Sequence, residues 1–219
     1  MKNTKLIIDK SLNSKTKLYR YIKLSCFLEL METHSMYLTN LNSWDDLWEL
    51  PARNKMPEEF KDMYYGQCWS LQGISDALWK IYAKDKEGIL IQSSVEKFYN
   101  LQGIKLGKLS PVIYYEDLDL TLSNATHIEG MDKIFYHGLL KRKAFEHEKE
   151  VRLITLNTVT CIDNNCKKHD STLLVKVDPF DFIEDIFIDP RASTWFVDTI
   201  KIYCKRLNLH ITPKKSDLF

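Results

Sequence analysis

The sequence predicts an α+β fold in one domain: a mixed or antiparallel core of short strands with flanking helices. Three observations lead there. The apolar runs are short, mostly three to seven residues, and several alternate with polar positions as half-buried strands do. Helical spacing of apolar residues appears in only a few places, without the regular strand–helix alternation of βαβ units. The chain has 219 residues, 44% of them hydrophobic and 28% charged, which suits one sizeable soluble core.

Taken in order, residues 1–16 are polar apart from Leu6-Ile7-Ile8 and read as a flexible N-terminus, leaving 17–219 as the globular domain. Lys17 to Tyr21 reads as a strand. Leu24, Phe27, Leu28 and Met31 then fall at helical spacing, and Met36 to Thr39 reads as a second strand. Asn40 to Glu49 is a loop rich in Asn, Asp and Trp. Tyr64 to Ser70 is a third strand. Ser75 and Asp76 are helix-start residues for a short helix carrying Leu78, Trp79, Ile81 and Tyr82. Ile89-Leu90-Ile91 is a short apolar strand, and 94–101 is weakly helical. Pro111 to Tyr115 is another strand. Met131 to Lys143 has helical apolar spacing, interrupted by Gly138. Leu173 to Val177 and Ile183 to Ile188 are strands, and Asp189-Pro190 is a turn. Ser193 caps a last helix with Phe196, Val197, Ile200, Cys204 and Leu207 on one face, and Leu209 to Ile211 closes as a strand.

Net charge is +1, so no global field draws the chain to nucleic acid or anionic membrane. No run approaches the roughly 20 apolar residues of a membrane span. The five cysteines are scattered and no secretory leader is evident, which predicts a cytoplasmic protein with reduced thiols.

The stretch richest in chemistry is Phe145 to Ile154. Read as a strand from Glu148, it places Glu148, Glu150, Arg152 and Ile154 on one face, because side chains alternate. Arg152 can hold one carboxylate ionised while the other does acid–base or cation-stabilising work. The plainer reading is a solvated strand edge with an Arg–Glu ladder. Cys161-x4-Cys166-x2-His169 lacks a fourth ligand and a close Cys pair, so no metal is expected. No Walker loop, G-x-G-x-x-G or G-x-S-x-G elbow is present. Lys141-Arg142-Lys143 reads as a solvated helix end or, alternatively, a phosphate or nucleic-acid patch. Trp79 and Tyr82 share a helix face, as core or as a stacking wall for a flat ring.

Several segments together resemble a family of mostly bacterial proteins known as domain of unknown function 2971: Leu18-Tyr19-Arg20-Tyr21, Cys68-Trp69-Ser70, Leu78 to Ala83 with Gly88 to Ile91, Phe145 to Arg152, and Ile186 to Ala192. Phe145 stands where that family often has Trp, and the loop Trp44 to Glu49 departs from its pattern. The order Arg20, Ser70, Glu150 is also similar to ADP-ribosyltransferases of the Arg-Ser-Glu type. That similarity implies NAD as substrate, with ADP-ribose transfer to a protein or nucleic-acid acceptor or NAD hydrolysis. It assigns Glu150 to oxocarbenium stabilisation, Glu148 to the acceptor, and Arg20 to the pyrophosphate. Ser70 would position the ribose, Trp79 or Tyr82 would stack on nicotinamide, and Arg152 would tune Glu148. A role as a bacterial toxin or phage-defence effector follows from the same resemblance. The alternative is a non-catalytic protein- or nucleic-acid-interaction module, with Trp44, Trp48, Trp69 and Trp79 forming a core or groove.

Overall fold

The computed structural model describes residues 5–44, 62–156, 166–169 and 172–217. The strands are β1 (Lys5–Ile8), β2 (Lys17–Lys23), β3 (Ser35–Asn40), β4 (Tyr64–Ser70), β5 (Gly88–Ser94), β6 (Leu106–Pro111) and β7 (Ile113–Tyr115). They continue with β8 (Leu140–Arg142), β9 (Glu150–Leu156), β10 (Cys166–His169), β11 (Thr172–Lys176), β12 (Asp185–Ile188) and β13 (Lys214–Lys215). The helices are α1 (Leu24–Thr33), α2 (Asp76–Tyr82), α3 (Leu118–Asn124), α4 (Gly130–Tyr136), α5 (Pro179–Phe182) and α6 (Thr194–Arg206). The sheet is mixed and helices flank it, as the sequence predicts.

The residues cluster into two compact units, each assembled from three separate stretches of chain. Residues 1–12, 37–68 and 102–175 make the first; residues 13–36, 69–101 and 176–219 make the second. In the first unit the order is β1-β6-β9-β4, with β3 on β4 and β11 and β10 beyond it. Antiparallel β6–β9 pairing sets Ser110 opposite Arg152 and Lys108 opposite Ile154. One apolar cluster here is Leu41, Tyr64, Phe135, Leu139 and Ile154, and another is Tyr115, Tyr136 and Leu140.

In the second unit β2-β5-β12-β13 are successive neighbours. All seven residues of β2 are in register with β5, from Lys17 opposite Ser94 to Lys23 opposite Gly88. Trp69, Phe98 and Phe182 pack edge to face, with centroids 5.1 to 5.7 Å apart. Ser75 caps α2 and Ser193 caps α6, each side chain accepting from the backbone N–H three residues on.

Four expectations need correction. Residues 1–16 are not a wholly flexible tail: Lys5–Ile8 pairs in parallel with β6, because Leu6-Ile7-Ile8 supplies an apolar strand. The 131–143 helix stops at Tyr136; a 3-10 turn over His137–Leu139 follows, and Leu140–Arg142 is extended. The strand over 111–115 is split between β6 and β7, with the Val112 N–H donating to the Glu150 carbonyl at 3.0 Å. The closing strand is Lys214–Lys215, parallel to β12, and not 209–211.

Asp189, fully buried, accepts from the backbone N–H and guanidinium of Arg191. Nη2 of the same arginine donates to the carbonyls of Trp79 and Ala83, at 3.0 and 2.9 Å, closing the C-terminal end of α2. Arg191→Met strands a buried carboxylate. A loss of about 3–5 kcal/mol in urea unfolding is expected. Lys80→Met, at an exposed i,i+4 pair with Asp76, should cost far less.

Candidate active site

The charged residues of the Phe145–Ile154 stretch converge inside the first unit, by a route other than strand alternation. Glu148 ends a 3-10 turn (Lys143–Glu148) and is not on the strand. Lys149 takes the left-handed conformation at φ 44°, and β9 begins at Glu150. That reversal, rather than a two-residue repeat, lets both carboxylates meet one cation.

The cation is Lys141, which the sequence reading placed on a solvated helix end. It lies on β8, whose parallel pairing with β7 sets Tyr114 beside Lys141. Lys141 Nζ is 2.8 Å from Glu148 Oε2 and 2.5 Å from Glu150 Oε2. It also stands 5.0 Å from the centroid of the Phe145 ring. The Glu150 N–H donates to the Tyr114 phenol oxygen at 2.9 Å.

Arg152 closes the other side. Its Nε donates to Glu150 Oε1 at 2.7 Å and its Nη1 to the Gly138 carbonyl at 2.8 Å. The guanidinium carbon lies 4.7 Å from the centre of the Trp44 ring. Gly138 suits this approach: a Cβ there would come 2.9 Å from Ile154 and 3.0 Å from Leu41. Glu150 is 3% exposed and Arg152 1%, so these charges are nearly out of water.

Burial by itself would raise the Glu150 carboxyl. The Arg152 and Lys141 charges, with hydrogen bonds from Arg152 and the Cys68 thiol, overcome burial and hold it at about 2. Burial would likewise lower Lys141, but Glu150 and Glu148 raise it above the ordinary lysine range. Burial and the Glu150 charge push the Cys68 thiol well up. Near neutrality Glu150 is therefore ionised and is not placed to donate a proton.

The other predicted residues, Arg20, Ser70, Trp79 and Tyr82, belong to the second unit. Ser70 lies directly across from Tyr19, so the two side chains share a face. Tyr19 and Tyr21 pack on the Trp79 cluster. Arg20, opposite Ile91 and between those tyrosines, leaves the other face of β2. Arg20 is therefore not gathered with Ser70, Trp79 and Tyr82. Trp79 is fully buried, edge-on to Tyr21 at 4.8 Å, and is core rather than a free stacking wall. Tyr82 is 43% exposed and stacks on Tyr21 at 6.1 Å.

Lys143 pairs with Glu116 at 2.6 Å while Lys141 points inward, so the Lys141–Lys143 run is not a uniform basic patch. Trp48, Cys161 and the side chains of Cys166 and His169 lie outside the described residues. Among the described residues no group of three or more His, Cys, Asp or Glu is placed to hold a metal. No described helix is long and apolar enough to cross a membrane. A separate cleft of about 340 Å3 in the first unit is lined by Asp9, Lys108, Ser110, Asp132 and Tyr136 among others, and by none of the predicted site residues.

The sequence reading missed Lys141, Cys68 and Tyr114. Gly138 was the available signal for Lys141, since a glycine late in a weak helix marks its end.

The family model described as "Protein of unknown function (DUF2971)" matches residues 78–153, which includes α2, β5, Lys141 and the Glu148–Arg152 segment. The resemblance read from the sequence holds over that span. No curated protein matches the chain. Among solved structures, the chain is similar to Thermus sp. 2.9 DarT in complex with ADP-ribosylated ssDNA, at 12% identity and TM-score 0.45, covering 99% of this chain and 98% of that one. It is similar to the same protein in complex with NAD+, at 12% identity and TM-score 0.44, covering 94% and 97%. With carba-NAD+ the values are 12% and 0.43, covering 93% and 95%.

Glu150 also sets a pH dependence. Its pKa is depressed in the fold, from an ordinary 4.5 to about 2. The stabilisation is therefore complete above about 4.5 and is lost as pH falls from there toward 2. Thermal midpoints should drop through that window, and Glu150→Gln should remove Glu150's share of the slope.

Proposed function

We propose that this chain is an NAD-binding, ADP-ribosyltransferase-like enzyme. The observation that carries the reading is the Glu150 carboxylate, buried and held ionised at the first residue of β9. Glu148, two residues away, shares its Lys141 counter-ion.

In the proposed reaction the bond between ribose C1′ and the nicotinamide nitrogen breaks, and its electron pair leaves with nicotinamide. The ribosyl fragment acquires oxocarbenium character, which a fixed anion stabilises. A lone pair of the acceptor, or of water, then bonds C1′, and the acceptor's proton passes to solvent. Glu150 needs no proton transfer in this scheme, which fits a carboxyl with a pKa of about 2. Glu148 is given the acceptor side, and Arg152 holds Glu150 in place. Trp79 supports Tyr21 from within the core. Arg20, on the opposite face of β2, is left out of the set. A cytoplasmic toxin or defence effector acting on a protein or nucleic-acid acceptor remains the biological proposal.

One observation favours a second reading. Both oxygens of Glu150 already have cationic partners, so the cluster could be purely structural within a non-catalytic interaction module.

NAD consumption by the purified protein separates the two. The enzymatic reading expects nicotinamide release that falls about 100-fold or more in Glu150→Gln. A folded wild-type protein that releases no nicotinamide, alone or with candidate acceptors, supports the module.

A further inference from the structure

Sequence patterning puts Lys141 at the end of a 131–143 helix; in the structure it lies on β8, and both carboxylates of the site meet on it. Its ammonium is within 2.8 Å of Glu148 and 2.5 Å of Glu150. Residue exposures are 7% for Lys141, 7% for Glu148 and 3% for Glu150. Two carboxylates drawn onto one point away from water repel strongly, and without a cation between them they share a proton. Among the described residues, other charged and titratable groups facing the pair include the Arg152 guanidinium, the Cys68 thiol and the Tyr114 phenol. The Phe145 ring over Lys141 also carries the Arg142 guanidinium, 5.3 Å from its centroid. Arg152 is turned partly toward the Gly138 carbonyl and the Trp44 ring. Among the described residues, the short polar contacts of Lys141 run to the two glutamates.

We propose that Lys141 is a positioning residue of this site: by bridging Glu148 and Glu150 it keeps two negative charges side by side, and so sets the pH range over which Glu150 is a standing anion. The part of this concerning NAD turnover rests on the enzymatic reading above; the part concerning the carboxylate pair does not. Lys141 touches neither substrate nor reacting atoms in this role.

The test compares wild type, Lys141→Met, Lys141→Arg and the double variant Lys141→Met/Glu148→Gln, by thermal unfolding from pH 5 to 8 and by NAD turnover over the same range. In Lys141→Met the pair takes up a proton at higher pH. Its thermal midpoint should therefore fall as pH rises relative to that of wild type, and the acid limb of turnover should move up by about 1 pH unit or more. The double variant removes one of the repelling charges and should recover stability at pH 8; Lys141→Arg should restore both profiles. A purely packing role predicts a loss of stability that is independent of pH and unaffected by Glu148→Gln, and that result overturns the proposal. If Lys141→Met does not fold, recovery of a folded protein in the double variant supports the proposal, and failure to recover overturns it. Stability profiles as expected with no NAD turnover in wild type support the bridging role of Lys141 and overturn the enzymatic reading.

Discussion

The clamp on Glu150 is the interaction on which the first unit is organised. A carboxylate that is 3% exposed survives only when its lost hydration is replaced. Lys141 on one oxygen and Arg152 on the other supply that replacement. Each cation needs its own support, and neighbouring elements provide it. The short β7–β8 pair holds Lys141 in place, with Phe145 against the ammonium. Gly138 allows a carbonyl close to Arg152, and Trp44, itself tied through Nε1 to Thr39 at 2.7 Å, covers the guanidinium. Removing either cation leaves the buried Glu150 with one charged partner in place of two, so these elements support one another.

A fixed anion is a specific chemical resource. A carboxyl with a pKa near neutrality exchanges protons; one held near 2 presents a constant negative charge. Glycosidic cleavage that departs toward an oxocarbenium needs such a charge next to C1′. The same neutralising partners that secure the anion also limit its strength, since a cluster of two glutamates, one lysine and one arginine has no net formal charge. Under the proposed enzymatic reading, the cluster would act through the local field of one oxygen.

The second unit solves a different problem with aromatic rings. Tyr21 is tied by its hydroxyl to the Gly73 carbonyl and the Ser75 N–H, and carries Trp79 on its edge and Tyr82 on its face. Burial raises that phenol to about 12, so it remains a neutral hydrogen-bonding anchor for the start of α2. Arg191, partly exposed and paired with the buried Asp189, ties down the far end of the same helix.

Local chemistry was legible where it is decided within a few residues. Tyr64–Ser70 as a strand, Ser75 and Ser193 as caps, and the helix from Leu24 all follow from alternation, capping and periodicity. Glu150 and Arg152 were legible as partners because alternation puts them on one face of β9. Glu148 was assigned to the same face for the wrong reason, since a left-handed Lys149 intervenes.

By itself, then, the sequence determined the kinds of element, most of their positions, and the presence of a charged cluster around 148–152. Only tertiary structure decided that this cluster is buried, that Lys141 and not a solvated helix end completes it, and that Arg20 and Ser70 leave opposite faces. The physical reason is distance along the chain. Side-chain alternation and caps act over two to four residues, whereas a buried charge is paired by whatever segment returns to it, and that depends on how every strand between them is laid down.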